Sequence, residues 1–70
     1  MMPLMFAPKG EENIIKRVGG TPELRRHLEN LGFVAGAAVK IIAETGGNLI
    51  VSIKESRVAI SKETAQKIMI

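Results

Sequence analysis

An alternating stretch on each side of a glycine pair most strongly constrains how this chain folds. Residues 38–44 and 48–54 alternate apolar and other side chains, the two-residue period of a strand with one buried face. Gly46 and Gly47 suit the centre of a tight turn, since glycine adopts positive φ at no steric cost. The sequence therefore predicts a β-hairpin whose inward side chains are Val39, Ile41 and Ala43, followed by Leu49, Val51 and Ile53.

A single longer helix is predicted between Thr21 and Gly32. Thr21 is a favourable N-cap, and Pro22 fits the first helical position because its missing N–H would be unpaired there anyway. Gly32 suits the left-handed residue that ends a helix. The apolar side chains recur at i, i+4 and i+7 and form one stripe, made of Leu24, Leu28 and Leu31. We expect Leu28, in the middle of this stripe, to be buried.

The N-terminal third is predicted to form two strands. The first lies around residues 4–6, and the second runs from about 13 to 18. In the second strand, one side carries Ile14, Lys16 and Val18, and the other carries Ile15 and Arg17. The spacing of the apolar residues in this stretch also suits a helix, so both interpretations stay open.

Beyond the hairpin the predicted elements are short. They are a two-residue turn at Glu55 and Ser56, a strand over 57–60, a helical turn over 62–67 capped by Ser61, and a closing strand over 68–70. Short strands joined by tight turns favour a small closed or half-closed barrel, because closure removes exposed edges. A chain of 70 residues holds one domain. We therefore expect a single mainly β domain over 1–70, with the helix plugging one open end.

Composition narrows the range of functions. The chain has no cysteine, which excludes disulfides, thiolate zinc sites and iron–sulfur clusters. Its N-terminal apolar stretch lacks preceding positive residues and is interrupted by Pro3 and Pro8, so it is not typical of a signal peptide. No apolar run approaches the roughly 20 residues that span a bilayer. We expect a cytoplasmic protein without membrane insertion.

The basic residues do not indicate nucleic-acid binding. The net charge is +3, but the ten lysines and arginines are spread along the chain among seven acids. A nucleic-acid binder usually gathers its cations on one face and adds aromatic platforms for bases. This chain has two phenylalanines and neither tyrosine nor tryptophan. Scattered solubilising charge explains the pattern better, and weak nucleic-acid binding is only a third-ranked alternative.

Residues for catalysis or metal binding are also sparse. The only histidine is His27, there is no aspartate, and zinc sites normally need three or four protein ligands. His27 and Glu23 lie four residues apart on the predicted helix and form at most a weak pair of ligands. Adjacent Glu11 and Glu12 would point to opposite sides of an extended chain, unlike a catalytic acid pair. We predict no catalytic residue, no metal site and no cofactor.

A series of spaced motifs gives the chain a family resemblance. Gly19 and Gly20 precede the helix, residues 25–36 read RRHLENLGFVAG, residues 39–41 read VKI, and residues 56–70 read SRVAISKETAQKIMI. In their order and spacing these segments, with the opening residues 3–18, resemble the FeoA family of small proteins of ferrous iron uptake. The family loop often has proline where this chain has Ala35.

The resemblance implies a fold and a role. The fold would be an SH3-like β-barrel with an inserted α-helix and a short helical turn before the last strand. The role would be a non-enzymatic accessory of the ferrous iron permease FeoB, contacting its cytoplasmic GTPase portion. The alternative is a stand-alone regulatory or ligand-sensing module, related to the C-terminal domain of metal-dependent repressors. The family is often described as metal-binding, but the residues provide no ligand set, and weak self-association stays open.

The loop after the helix is the predicted partner surface. Residues 33–36 carry no polar side chain, which is unusual for a surface connection. Phe33 either joins the partner surface or turns inward and plugs the barrel end. We expect Val34 to be exposed and rimmed by Arg25 or Arg26. The residues given a structural role in the motif are Leu24, Leu28, Leu31, Gly32 and Gly36.

Overall fold

The computed structural model describes residues 1–70. Nine elements follow one another along the chain. They are a 3-10 helix Leu4–Phe6, strands β1 Glu12–Ile14 and β2 Arg17–Val18, helix α1 Pro22–Leu31, strands β3 Ala38–Thr45, β4 Asn48–Ile53 and β5 Ser56–Ser61, helix α2 Lys62–Ala65, and strand β6 Ile68–Met69.

The strands form two antiparallel sheets. The larger has the order β1-β3-β4-β5, and the smaller pairs β2 with β6. The N-terminal residues flank β6 on its other side, where Met2 and Ile70 exchange two backbone hydrogen bonds of 3.0 and 2.9 Å. No ladder joins β5 to β1. The predicted mainly β, SH3-like architecture is confirmed, and the barrel is not closed.

The core is apolar throughout. Thirteen residues are buried, none of them polar or charged, and every part of the chain contributes to the cluster. The largest fully buried side chains include Phe33, Leu4, Ile15 and Leu28. Since these four come from the 3-10 helix, the β1–β2 junction, α1 and the loop after it, the core joins the two sheets and α1 into one unit.

Helix α1 follows its prediction. The Thr21 side chain accepts a hydrogen bond from the Leu24 backbone N–H at 3.2 Å, and Gly32 ends the helix with φ of 106°. Leu28 is 1% exposed, whereas Leu24 and Leu31 are half-buried. A β-carbon on Gly32 would lie 3.0 Å from Cγ of Lys54, so both conformation and space favour glycine there.

The central hairpin is confirmed with one correction. Leu49, Val51 and Ile53 are all buried, and the turn joins Thr45 to Asn48. In β3 the register shifts between Ile41 and Ala43, as in a β-bulge. Ala43 pairs with Ile50, which lies between the inward residues of β4 and so faces outward. The prediction that Ala43 shares the inward face is therefore wrong, because the extra residue reverses the alternation.

The first predicted strand is instead the 3-10 helix. The backbone N–H groups of Phe6 and Ala7 donate to the carbonyls of Pro3 and Leu4 at 3.1 and 2.9 Å. Leu4 is buried, whereas Phe6 is 66% exposed. Three consecutive apolar residues show neither the period of a strand nor that of a helix, so the sequence did not distinguish the two. The 3-10 turn places Leu4 in the core without a strand partner.

The second predicted strand is divided. The Ile15 N–H donates to the Ala37 carbonyl at 2.9 Å, and the Lys16 N–H donates to the Met69 carbonyl at 2.8 Å. The chain therefore passes from the four-stranded sheet to the two-stranded sheet between these residues. Ile15 is buried and Ile14 is 50% exposed.

The turn after β4 lies one residue earlier than predicted. Ile53 pairs with Ser56, and Lys54 and Glu55 occupy the turn with φ of 48° and 65°. Neither residue is glycine, so the local sequence does not favour positive φ at these two positions. The pairing of β4 with β5 therefore sets where the turn lies. Strand β5 accordingly begins at Ser56 and extends to Ser61. The Ser61 side chain caps α2 as predicted, accepting from Thr64 N–H at 3.1 Å.

Candidate functional site

The loop between α1 and β3 is a defined turn. The Ala37 backbone N–H donates to the Val34 carbonyl at 3.0 Å, which encloses Ala35 and Gly36. Gly36 has φ of 92°, as the third residue of a type II turn requires. Ala35 then occupies the second position, where proline is common. This geometry explains why a chain of this pattern accepts proline at Ala35.

The same loop is tied to the junction between β1 and β2. The Gly36 N–H donates to the Ile15 carbonyl at 2.8 Å, and the Ile15 N–H returns a bond of 2.9 Å to the Ala37 carbonyl. Phe33 N–H also donates to the Leu28 carbonyl at 2.9 Å. The loop is therefore held at both ends by backbone hydrogen bonds, which order its backbone before any partner arrives.

The structure separates the loop residues that were predicted together. Phe33 is 0% exposed and belongs to the core, so its side chain is not available to a partner. Val34 is half-buried, and the expectation that it is exposed is wrong to that extent, because it lines a groove together with residues of β2 and α1. Ala35 and Gly36 are the exposed members of the loop.

A shallow groove of about 170 Å³ lies beside the loop. We call it the loop groove, and its lining residues are Val18, Arg25, Glu29, Phe33, Val34 and Ala35. Arg25 is thus brought to Val34, as predicted for a charged rim. Arg26 lies in an adjoining depression with Pro22, Arg25 and Glu29. The predicted site residues are adjacent, although Phe33 contributes only from beneath.

Two members of the loop groove were missed from the sequence. Val18 belongs to β2 and lines the groove with Arg25 and Glu29 of α1, and no local sequence pattern marks that approach. Glu29 lies four residues after Arg25, so helical spacing places both on one face of α1. That spacing was available in the sequence as a signal for Glu29.

The only salt bridge of the chain lies outside the loop groove. Lys62 Nζ contacts Glu44 Oε2, joining α2 to β3. The hydrogen bond and the positive charge of Lys62 lower the pKa of the Glu44 carboxyl from its usual value. Because neither Arg25 nor Arg26 is paired in a salt bridge, both guanidinium groups are free to meet a carboxylate of a partner.

Candidates for catalysis and metal binding do not converge. No three residues among His, Cys, Asp and Glu lie close enough together to hold a metal ion. His27, Glu23, Glu11 and Glu12 are all exposed. None of the helices is long and apolar enough to cross a membrane.

Comparison with known proteins places this arrangement in a family. A family model described as "FeoA domain" matches residues 2–70. The chain belongs to the FeoA family. A curated relative from Methanocaldococcus jannaschii, named "Putative Fe(2+) transport protein A", is 37% identical over 70 residues, covering 100% of this chain and 85% of the relative.

Solved structures agree with this assignment. A crystal structure of Stenotrophomonas maltophilia FeoA complexed with zinc, described as a prokaryotic SH3 domain protein, is 25% identical and superimposes with a TM-score of 0.86, covering 99% of this chain and 88% of that one. A manganese-dependent transcriptional repressor has a TM-score of 0.84 at 20% identity, covering 94% of this chain and 38% of that one. At that identity the second likeness shows the fold alone.

Proposed function

We propose that this protein is a non-enzymatic cytoplasmic accessory of ferrous iron uptake, which acts by contact with a FeoB-type permease and its GTPase portion. Membership of the FeoA family carries this proposal, since a matched relative is named for Fe(2+) transport. The lack of a cluster of three or more His, Cys, Asp or Glu side chains favours binding over catalysis as the explanation.

The loop groove is the surface we assign to that contact. It combines an exposed apolar edge at Ala35 with a half-buried Val34 and an unpaired guanidinium on Arg25. Apolar centres with polar rims are typical of protein-binding surfaces. Since the loop backbone is already hydrogen-bonded to Ile15 and Leu28, binding would order few additional groups.

A binding assay with the permease's purified cytoplasmic portion tests the proposal. Ala35→Glu adds a charge to the exposed apolar edge of the groove, and we expect about tenfold weaker binding because that carboxylate would lose water at the contact. Arg25→Glu reverses the rim charge and should weaken binding about two- to fivefold, with a stronger effect at low salt.

Matched controls separate the groove from general charge effects. Ala59→Glu and Arg57→Glu make the same two changes at exposed positions of β5, outside the loop groove. They should bind like the parent chain. Equal weakening by the controls would refute the groove as the contact surface. Absence of binding by the parent chain would refute the proposed function itself.

The second candidate is a stand-alone regulatory or ligand-sensing module, and the likeness to a manganese-dependent repressor is one of fold alone. In that case the chain would act without the permease. A pull-down in which the parent chain fails to retain the permease portion would favour this candidate.

A further inference from the structure

A second depression lies where the two-stranded sheet meets the glycine pair before α1. Its volume is about 250 Å³, and it shares no lining residue with the loop groove. We call it the methionine–cation pocket, and the residues that matter here are Met1, Arg17, Gly19, Gly20, Lys67 and Met69. The Gly19 N–H donates to the Lys67 carbonyl at 2.7 Å, which joins the end of β2 to the start of β6.

Gly20 leaves room for the Lys67 side chain beside this pocket. Gly20 has φ of 97°, and a β-carbon there would lie 2.9 Å from Cδ2 of Leu24 and 3.0 Å from Cδ of Lys67. The aliphatic part of Lys67 therefore lies against the Gly20 backbone, and Lys67 is one of the residues that line the pocket. A side chain at position 20 would compete with Lys67 for this space.

The charge lining the pocket has a single sign. Arg17 and Lys67 contribute two cations, and no aspartate or glutamate is among the lining residues. Neither cation is in a salt bridge, because the one salt bridge of the chain joins Glu44 to Lys62. Two unpaired cations facing one depression attract a carboxylate from solution and gain hydrogen bonds on contact.

An apolar surface lies beside these cations. Met69 is half-buried and stands opposite Arg17 in the β2–β6 ladder, so their side chains share one face of the sheet. Met1 adds a second flexible thioether, 72% exposed. Methionine adapts its shape to varied apolar partners. The pocket contains no aromatic ring on which a base would stack, which favours a peptide over a nucleic acid.

We propose that the methionine–cation pocket binds an acidic and apolar segment of a partner protein. A glutamate or aspartate carboxylate of that segment lies between Arg17 and Lys67, and a neighbouring aliphatic side chain packs on Met69. This contact does not depend on the loop groove, and it gives the chain a second, separate surface for protein recognition.

NMR titration of the full-length ¹⁵N-labelled chain tests this site. The probe is a blocked peptide of alternating glutamate and leucine, and the amide signals of Gly19, Gly20, Lys67 and Met69 should shift on its addition. The matching peptide with glutamine in place of glutamate tests the charge requirement, and a glutamate–serine peptide tests the apolar requirement. Both should bind more weakly.

Variants then locate the binding. Arg17→Gln and Lys67→Gln should each weaken binding about two- to fivefold, the range for exposed ion pairs, and the double variant should weaken it further. Arg57→Gln removes an exposed charge of β5 and should bind like the parent. If Arg17→Gln lowers the melting temperature, Lys67→Gln carries the test, since its side chain lies outside the strand ladder.

Three results would overturn the proposal. The first is that the amide shifts are the same size with the glutamate and the glutamine peptides, or that Lys67→Gln shows the same shifts as the control Arg57→Gln. The second is the same shifts and affinity with inorganic phosphate, which would mean that the pocket holds any anion. The third is tighter binding of a single-stranded oligonucleotide than of the peptide at the same salt concentration.

Discussion

Replacing Leu28 by alanine tests how strongly α1 is joined to the core. Leu28 is 1% exposed in the cluster of thirteen buried residues, so its loss removes apolar contacts and leaves a cavity. Such substitutions cost about 2–5 kcal/mol. A chain of 70 residues has an unfolding free energy of about 3.5–10 kcal/mol, so the change removes a large part of the total.

Thermal and urea unfolding followed by circular dichroism measure this effect. A loss of about 3 kcal/mol corresponds to a melting temperature about 12–24 °C lower in a domain of this size. Leu24→Ala and Leu31→Ala are matched controls, since they make the same change at half-buried positions of the same helix. Each should cost about 1 kcal/mol, because much of the side chain stays in water in the folded state.

The comparison among the three leucines is decisive. If Leu28→Ala melts within about 3 °C of the parent, the cavity argument is wrong. If Leu28→Ala lowers the free energy of unfolding no more than Leu24→Ala does, burial does not determine what each leucine contributes. In that case α1 is not attached to the core through Leu28.

Four further outcomes are expected. Gly32→Ala should cost about 1–2 kcal/mol in urea unfolding because φ is 106°, whereas Gly47→Ala, with open space and no positive φ, should be nearly neutral; equal costs would contradict the capping argument. Ala35→Pro should raise stability by about 0.4–1 kcal/mol by restricting the unfolded chain, and a loss would contradict the type II turn. Since Lys62 lowers the pKa of Glu44, their pairing stabilises the fold above the ordinary glutamate pKa and is lost as pH falls through the lowered value. Glu44→Gln should therefore make melting temperature less dependent on pH in the acid range, and an unchanged profile would refute that linkage. Calorimetric titration of the monomer with zinc or ferrous ion should find no sub-micromolar site, and such a site would contradict the absence of a ligand set.

Local chemistry made α1 and β4 predictable. The cap at Thr21, the stop at Gly32 and the alternation of Leu49, Val51 and Ile53 are all set by residues close in sequence. The signal for α1 is its caps and the signal for β4 is its alternation, and both can be read within the segment itself even though β4 pairs with β3 and β5. The outcome was therefore visible before any partner strand was known.

The candidate site was predictable in part. The absence of polar side chains in residues 33–36 marked the loop, and Arg25 or Arg26 was expected close to Val34. Which loop residue turns inward depended on the space below the loop, and the fold assigned that space to Phe33. Val18 joined the groove from a distant strand, which sequence spacing does not reveal.

Tertiary structure alone decided the remaining features, and the reason is the same in each. The bulge that turns Ala43 outward, the turn at Lys54 and Glu55, and the division of the second predicted strand all arise from pairing with another segment. A backbone N–H or carbonyl that leaves water needs a partner, and the position of that partner depends on the whole chain. The sequence by itself determined where apolar faces and caps occur, and long-range pairing determined which of those faces meet.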